Sequence, residues 1–181
     1  MKAIVNFVAF QIGWFAAVLG AGRGMPWLGV LVVPLVVALN LFLAEDWKSE
    51  LKTALAATGM GFVFDTVMTV VGAFTPVPYV LPVPFSPLWM MLLWMNQATT
   101  LNGCMSWLRG RYPLGAVFGA IGGPLGYLGG AKLGAAELPS HRGLVILALG
   151  WAIAFPALLA IPQLLAAAQP RRDKTTVPDR M

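Results

Sequence analysis

The chain has 181 residues, 59% of them hydrophobic and 10% charged, with a formal net charge of +5 and a mean hydropathy of +0.78. Soluble domains carry about 25% charged residues, so a deficit this large over the whole length excludes a soluble globular protein. The single cysteine, Cys104, and single histidine, His141, exclude an internal disulfide and a clustered thiolate or imidazole metal site.

The first apolar stretch is Ile4–Ala21, followed by the turn Gly22-Arg23-Gly24-Met25-Pro26. Asn6 and Gln11 interrupt it, and it is long enough to span, so it reads as a retained helix rather than a cleaved signal peptide. The second, Trp27–Ala44, ends at the charged turn Glu45–Glu50. The third is Thr53–Phe74. A connector over Thr75–Pro87 follows, and its five prolines forbid helix and favour an extended path. The fourth stretch, Leu88–Leu108, is closed by Arg109-Gly110-Arg111. The fifth is Leu114–Ala136, and the sixth is Gly143–Ala167, where Pro156 and Pro162 predict kinks. Each approaches the ~20 residues that cross a bilayer. The fold class is therefore all-α, a bundle of about six transmembrane helices forming one domain over residues 1–168. Residues 169–181 read as a polar, disordered cytoplasmic tail.

Basic residues set the direction. With the N-terminus inside, Lys2, Lys48, Lys52, Arg109, Arg111 and the basic tail fall on the cytoplasmic side. Arg23 and Arg142, with Lys132 nearby, fall outside. This asymmetry predicts both termini in the cytoplasm, a multi-pass inner-membrane location, and no nucleic-acid partner.

Asp65 stands out, because a carboxylate in the middle of a membrane helix costs several kcal/mol unless it is paired, protonated or facing a cavity. Thr58, Gly61, Asp65, Thr69 and Gly72 recur at steps of three or four and form one inward stripe. Asn96, Thr99, Thr100 and Gly103 form a comparable stripe on the fourth span. Asp65 and Asn96 each lie about 9 residues, or roughly 13 Å, from the outer ends of their helices, a depth at which they can hydrogen-bond if the helices are neighbours. On the fifth span, Tyr127 lies near the level of Asp65, and Lys132 lies within reach of it or snorkels outward. The candidate ligand-binding set is thus Asp65, Asn96, Thr99, Thr100, Tyr127 and Lys132. Gly122, Gly126, Gly130 and Gly134 form one row of small residues, and Gly115, Gly119 and Gly123 a second; both are expected to pack against partner helices. Gly122-Gly123-Pro124 is the place where the helix would loosen.

Several segments taken together carry a likeness: Asn6-Phe7, Gln11-Ile12-Gly13-Trp14-Phe15, Pro26-Trp27-Leu28-Gly29, Asp65, Thr99-Thr100-Leu101-Asn102 and Gly122-Gly123-Pro124-Leu125-Gly126-Tyr127. Over nearly its whole length the chain resembles a family of small, uncharacterised bacterial inner-membrane proteins, a domain of unknown function found mainly in proteobacteria. The resemblance implies an inner-membrane location and supplies no catalytic residue or cofactor. In architecture alone, six helices in this length are also similar to the substrate-binding subunits of energy-coupling vitamin transporters, which does not fix function.

Three readings follow. The favoured one is binding or transport of a small apolar solute or lipid at a polar site in the outer half of the bundle, with help from a homo-oligomer or another membrane protein. The second is a structural or assembly subunit that docks through small-residue faces such as Ala9, Gly13, Ala17 and Ala21. The third, an accessory to lipid modification with Asp65 as general acid or base, is least favoured: no catalytic residue, metal or cofactor is expected, because Asp65 has no nucleophile near it in sequence.

Overall fold

The computed structural model describes residues 2–138 and 140–168; the expected tail over 169–181 lies outside the described residues. Six helices follow in order: α1 (Lys2–Gly22), α2 (Trp27–Leu43), α3 (Trp47–Val70), α4 (Leu88–Leu101), α5 (Tyr112–Lys132) and α6 (His141–Ala167). Two short strands, β1 (Thr75–Pro76) and β2 (Ala136–Glu137), pair antiparallel, with Thr75 opposite Glu137.

Local chemistry explains most of the boundaries. The Asp46 carboxylate accepts from the backbone N–H groups of Lys48 and Ser49, at 3.1 Å each, and starts α3. The Ser140 hydroxyl does the same for α6 through Gly143 N–H. Pro87 sits in extended backbone immediately before α4, as a proline that cannot continue a helix backwards does. Gly24 and Gly72 turn the chain after α1 and α3 at φ of 73° each, a region that favours glycine.

Among the described residues, four helices are long and apolar enough to cross a membrane: α1, α3, α5 and α6. The α2 helix is apolar but has 17 residues. The outer surface is apolar too, with Phe42, Ile153, Leu35 and Ile4 all more than two-thirds exposed, at 85%, 75%, 71% and 69%. A surface so rich in large apolar side chains suits lipid rather than water.

The boundaries of three spans differ from the sequence expectation, the fifth helix ending at Lys132 instead of Ala136. The third span begins earlier, at Trp47, and its helix stops at Val70 instead of Phe74. The fourth helix stops at Leu101, after 14 residues, and gives way to a turn and a short 3-10 segment over Ser106–Leu108. Its end is fixed by Asn6 on α1. The Asn6 carboxamide donates to the Thr99 carbonyl (2.9 Å) and accepts from Cys104 N–H (2.9 Å), taking up backbone groups that a longer helix would have paired internally. The expected loosening at Gly122-Gly123-Pro124 does not occur, and α5 runs unbroken through Pro124. The α6 helix likewise stays continuous past Pro156 and Pro162.

The bundle is organised around α4, which packs against α1, α2 and α3. The α5 and α6 helices form a second, tightly packed pair that joins the rest mainly through α6 against α3. The two groups are bridged at one end by the β1–β2 pairing and by Val77 N–H donating to the Ala135 carbonyl at 3.0 Å.

Candidate functional site

Asp65 is fully buried, on a ridge of α3 formed by Thr53, Ala57, Gly61, Asp65 and Thr69 at successive four-residue steps. Of the expected stripe, Gly61, Asp65 and Thr69 point inward. Thr58 is only half-buried, and Gly72 falls beyond the helix. Three neutral donors from three different segments meet the carboxylate. The Tyr127 hydroxyl on α5 donates to Oδ1 at 2.5 Å. The Trp94 indole N–H on α4 donates to Oδ2 at 2.8 Å. The Ser86 hydroxyl, carried in by the proline-rich connector, donates to Oδ2 at 3.4 Å. Ser86 is held there by its own N–H, which donates to the Thr66 hydroxyl at 3.1 Å. Asp65 therefore ties α3, α4, α5 and the connector together.

Two expected partners of Asp65 are elsewhere. Asn96 is fully buried and at similar depth, but its amide donates to the Phe10 carbonyl on α1 (2.9 Å) and rests on Gly13. The reason is angular: Trp94 and Asn96 are two residues apart, about 200° around α4, so when Trp94 faces α3 Asn96 faces α1. Lys132 is exposed at the end of α5. It stands five residues from Tyr127, about 140° round the helix, and so points away from Asp65. Thr99 and Thr100 are buried, and their hydroxyls return to their own helix, to the carbonyls of Asn96 and Gln97 at 2.7 Å each. Of the six candidate ligand-binding residues, Asp65 and Tyr127 are the pair that meets across helices through a hydrogen bond.

The residues that sequence reasoning missed are tryptophans. Trp94 stacks on Trp151 of α6, with ring centroids 4.7 Å apart and planes 9° from parallel, and both rings meet Phe64 edge-on at 5.4 and 5.5 Å. Glycine makes this arrangement possible. A methyl group at Gly61 would collide with the Trp94 ring, and one at Gly123 with the Trp151 ring. The signal was present in the sequence, since a buried indole N–H usually finds an acceptor and Asp65 is the acidic side chain in mid-span.

Beside this cluster lies a cavity of about 460 Å³ between α1, α4, α5 and α6, within the roughly 300–1,000 Å³ usual for small-ligand sites. Trp14, Trp89, Trp94 and Trp151 line it, with Tyr127 and Phe155, and two carboxamides, Gln11 and Gln97, reach it. Its floor is a row of glycines. Gly122, Gly126 and Gly130 all face the cavity, and a methyl group at any of them would meet nothing within 4 Å. Within this chain Gly122, Gly126 and Gly130, expected to pack against partner helices, meet no neighbouring helix. The row that packs is Gly115, Gly119 and Gly123, against Leu159, Phe155 and Trp151 of α6. Pro124 is half-buried on α5 and does not line the cavity. Asp65 is not part of the cavity wall. It stands behind Tyr127 and Trp94, which are, and fixes both.

The small-residue face of α1 is also used internally. Ala9, Gly13, Ala17 and Ala21 are buried, with Gly13 against Asn96 and Ala17 against Gly29 of α2.

A family model described as "Protein of unknown function (DUF2878)" matches residues 3–157. The chain belongs to that family. The match runs from the start of α1 into α6 and so includes Asp65, its three donors and the whole lining of the cavity in this DUF2878 chain. No curated protein and no solved structure matches it.

Proposed function

We propose that this DUF2878 chain is a six-span protein of the bacterial inner membrane, with both termini in the cytoplasm, that binds a small apolar solute or lipid in the cavity between α1, α4, α5 and α6. The observation that carries the reading is the row Gly122, Gly126 and Gly130 facing open space inside a wall of aromatic rings. A packed bundle leaves few voids larger than a water molecule, and an apolar cavity of this size is favourable to fill. The lack of a side chain at Gly122, Gly126 and Gly130 keeps the space open.

The site therefore differs in kind from a polar transport site. The cavity offers apolar and aromatic surface, and Asp65 acts through Tyr127 and Trp94 rather than by touching the ligand. The fold gives less support to a docking subunit, because the α1 face that would dock a partner is already covered by α2 and α4.

The test is to purify the full chain in mild detergent, extract it with organic solvent and identify bound small molecules by mass spectrometry. Wild type is expected to carry an apolar species near one per chain. Gly126→Leu, whose Cβ meets nothing within 4 Å, is expected to lose it at least tenfold while keeping or raising its melting temperature. Equal recovery from both proteins contradicts the reading.

A further inference from the structure

The cavity is closed at one end and open along one side, and this asymmetry identifies the occupant more narrowly. Ala135 and Ala136, both buried, form its outer end. Above them the β1–β2 pair and the Val77–Ala135 hydrogen bond draw the proline-rich connector across the bundle, and the Trp89 indole donates to the Val77 carbonyl at 3.0 Å. At the same end the backbone of Gly22 on α1 lies directly against that of Leu133. The face of the bundle that carries the connector therefore offers no direct way in.

The side is different. The α1 and α5 helices touch sparsely, and α4 and α5 face each other across the cavity without packing together. On α5 the rim is formed by Phe118 and Leu125, which both line the cavity and are exposed on the outer surface of the bundle, at 46% and 59%. These are mid-helix positions, at the depth of the hydrocarbon core of a bilayer.

The shape agrees. From Phe118 to Gly130 the lining spans twelve residues of α5, about 18 Å at 1.5 Å per residue. The lining is thus elongated along α5, as an extended chain requires.

We propose that the cavity takes the acyl chain of a membrane lipid, which enters sideways from the bilayer through the gap between α1 and α5. The proposal rests on the reading of the cavity as a ligand site, and adds the ligand class and the route.

The tryptophans supply a direct probe. Of the seven in the chain, Trp27, Trp47 and Trp107 are exposed, and Trp14, Trp89, Trp94 and Trp151 line the cavity. The full-length chain with Trp27, Trp47 and Trp107 changed to Phe is reconstituted in phosphatidylcholine vesicles, with and without bromine on the acyl chains, and its fluorescence compared. Bromine quenches indole on contact. Brominated vesicles are expected to lower the emission at least twofold, and adding Gly122→Leu and Gly126→Leu is expected to restore at least half of the loss. Quenching that the two leucines leave unchanged overturns the proposal. So does emission that resists brominated lipid and yields to acrylamide, a water-borne quencher; in that case the cavity opens to water, and ligand recovery by solvent extraction still stands as the separate test of the binding reading.

Discussion

Asp65 shows how one side chain sets the geometry of a wall it does not line. Its two oxygens take up the Tyr127 hydroxyl and the Trp94 and Ser86 donors, so each donor is satisfied away from water. Asp65→Asn keeps one acceptor oxygen but turns the other into an amino group facing a donor. It is expected to destabilise the protein by about 1–3 kcal/mol, the cost of leaving a buried polar group unpaired. Tyr127→Phe removes the one donor to Oδ1 and leaves the Trp94 and Ser86 donors on Oδ2; its expected cost is about 1–2 kcal/mol, at the lower end for an unpaired buried group. Unfolding in graded mixtures of mild and harsh detergent measures both. A Tyr127→Phe cost larger than that of Asp65→Asn would place the organising role on the tyrosine instead. Asp65→Asn is also expected to weaken ligand retention indirectly, by freeing Trp94 and Tyr127 to swing into the cavity.

The two glycine rows of α5 look alike as sequence and behave oppositely in the fold. Gly123 lies under the Trp151 ring, while Gly126 faces empty space. Gly123→Leu is expected to cost about 1–3 kcal/mol or more through overpacking. Gly126→Leu is expected to be neutral or stabilising by up to about 1 kcal/mol, since glycine is a poor helix former. Melting temperatures of the two purified variants, measured side by side, check the pair, and similar losses in both would mean that the cavity floor is packed. The same contrast marks the limit of sequence reasoning. Spacing of three or four residues puts Thr58, Gly61, Asp65, Thr69 and Gly72 on one stripe and Tyr127 at the depth of Asp65; Gly61, Asp65 and Thr69 are buried together and Tyr127 reaches Asp65, while Thr58 is half-buried and Gly72 lies past the helix. Spacing alone does not say which neighbour a face meets. Asn96 turns to α1 because Trp94 takes the side facing α3. The open glycine row is open because α4 and α5 stand apart. The short fourth helix depends on Asn6, some 93 residues away from its Thr99 partner. None of these relations is local in sequence.

For the whole molecule, the helix order and the apolar exterior define an object suited to lipid, and the proposed direction rests on the loop charges. Lys48, Arg109 and Arg111 belong to one side, and Arg23 and Arg142 to the other. Single cysteines placed at Arg23 and Arg142, in a chain with Cys104 changed to Ala, are expected to react with a membrane-impermeant maleimide added to intact cells. Those placed at Lys48 and Arg111 are expected to react only after permeabilisation. The reverse pattern would invert the topology, and a mixed pattern would reduce the number of crossings. With this topology the connector bearing Ser86 caps the bundle from outside, and the gap between α1 and α5 faces the bilayer. The central claim is that the glycine-floored cavity holds an apolar molecule. A density map of the full-length chain in a lipid nanodisc tests it most directly: elongated non-protein density running beside Gly122, Gly126 and Gly130 is expected, and α5 closed against α1 and α4 with no such density would contradict it.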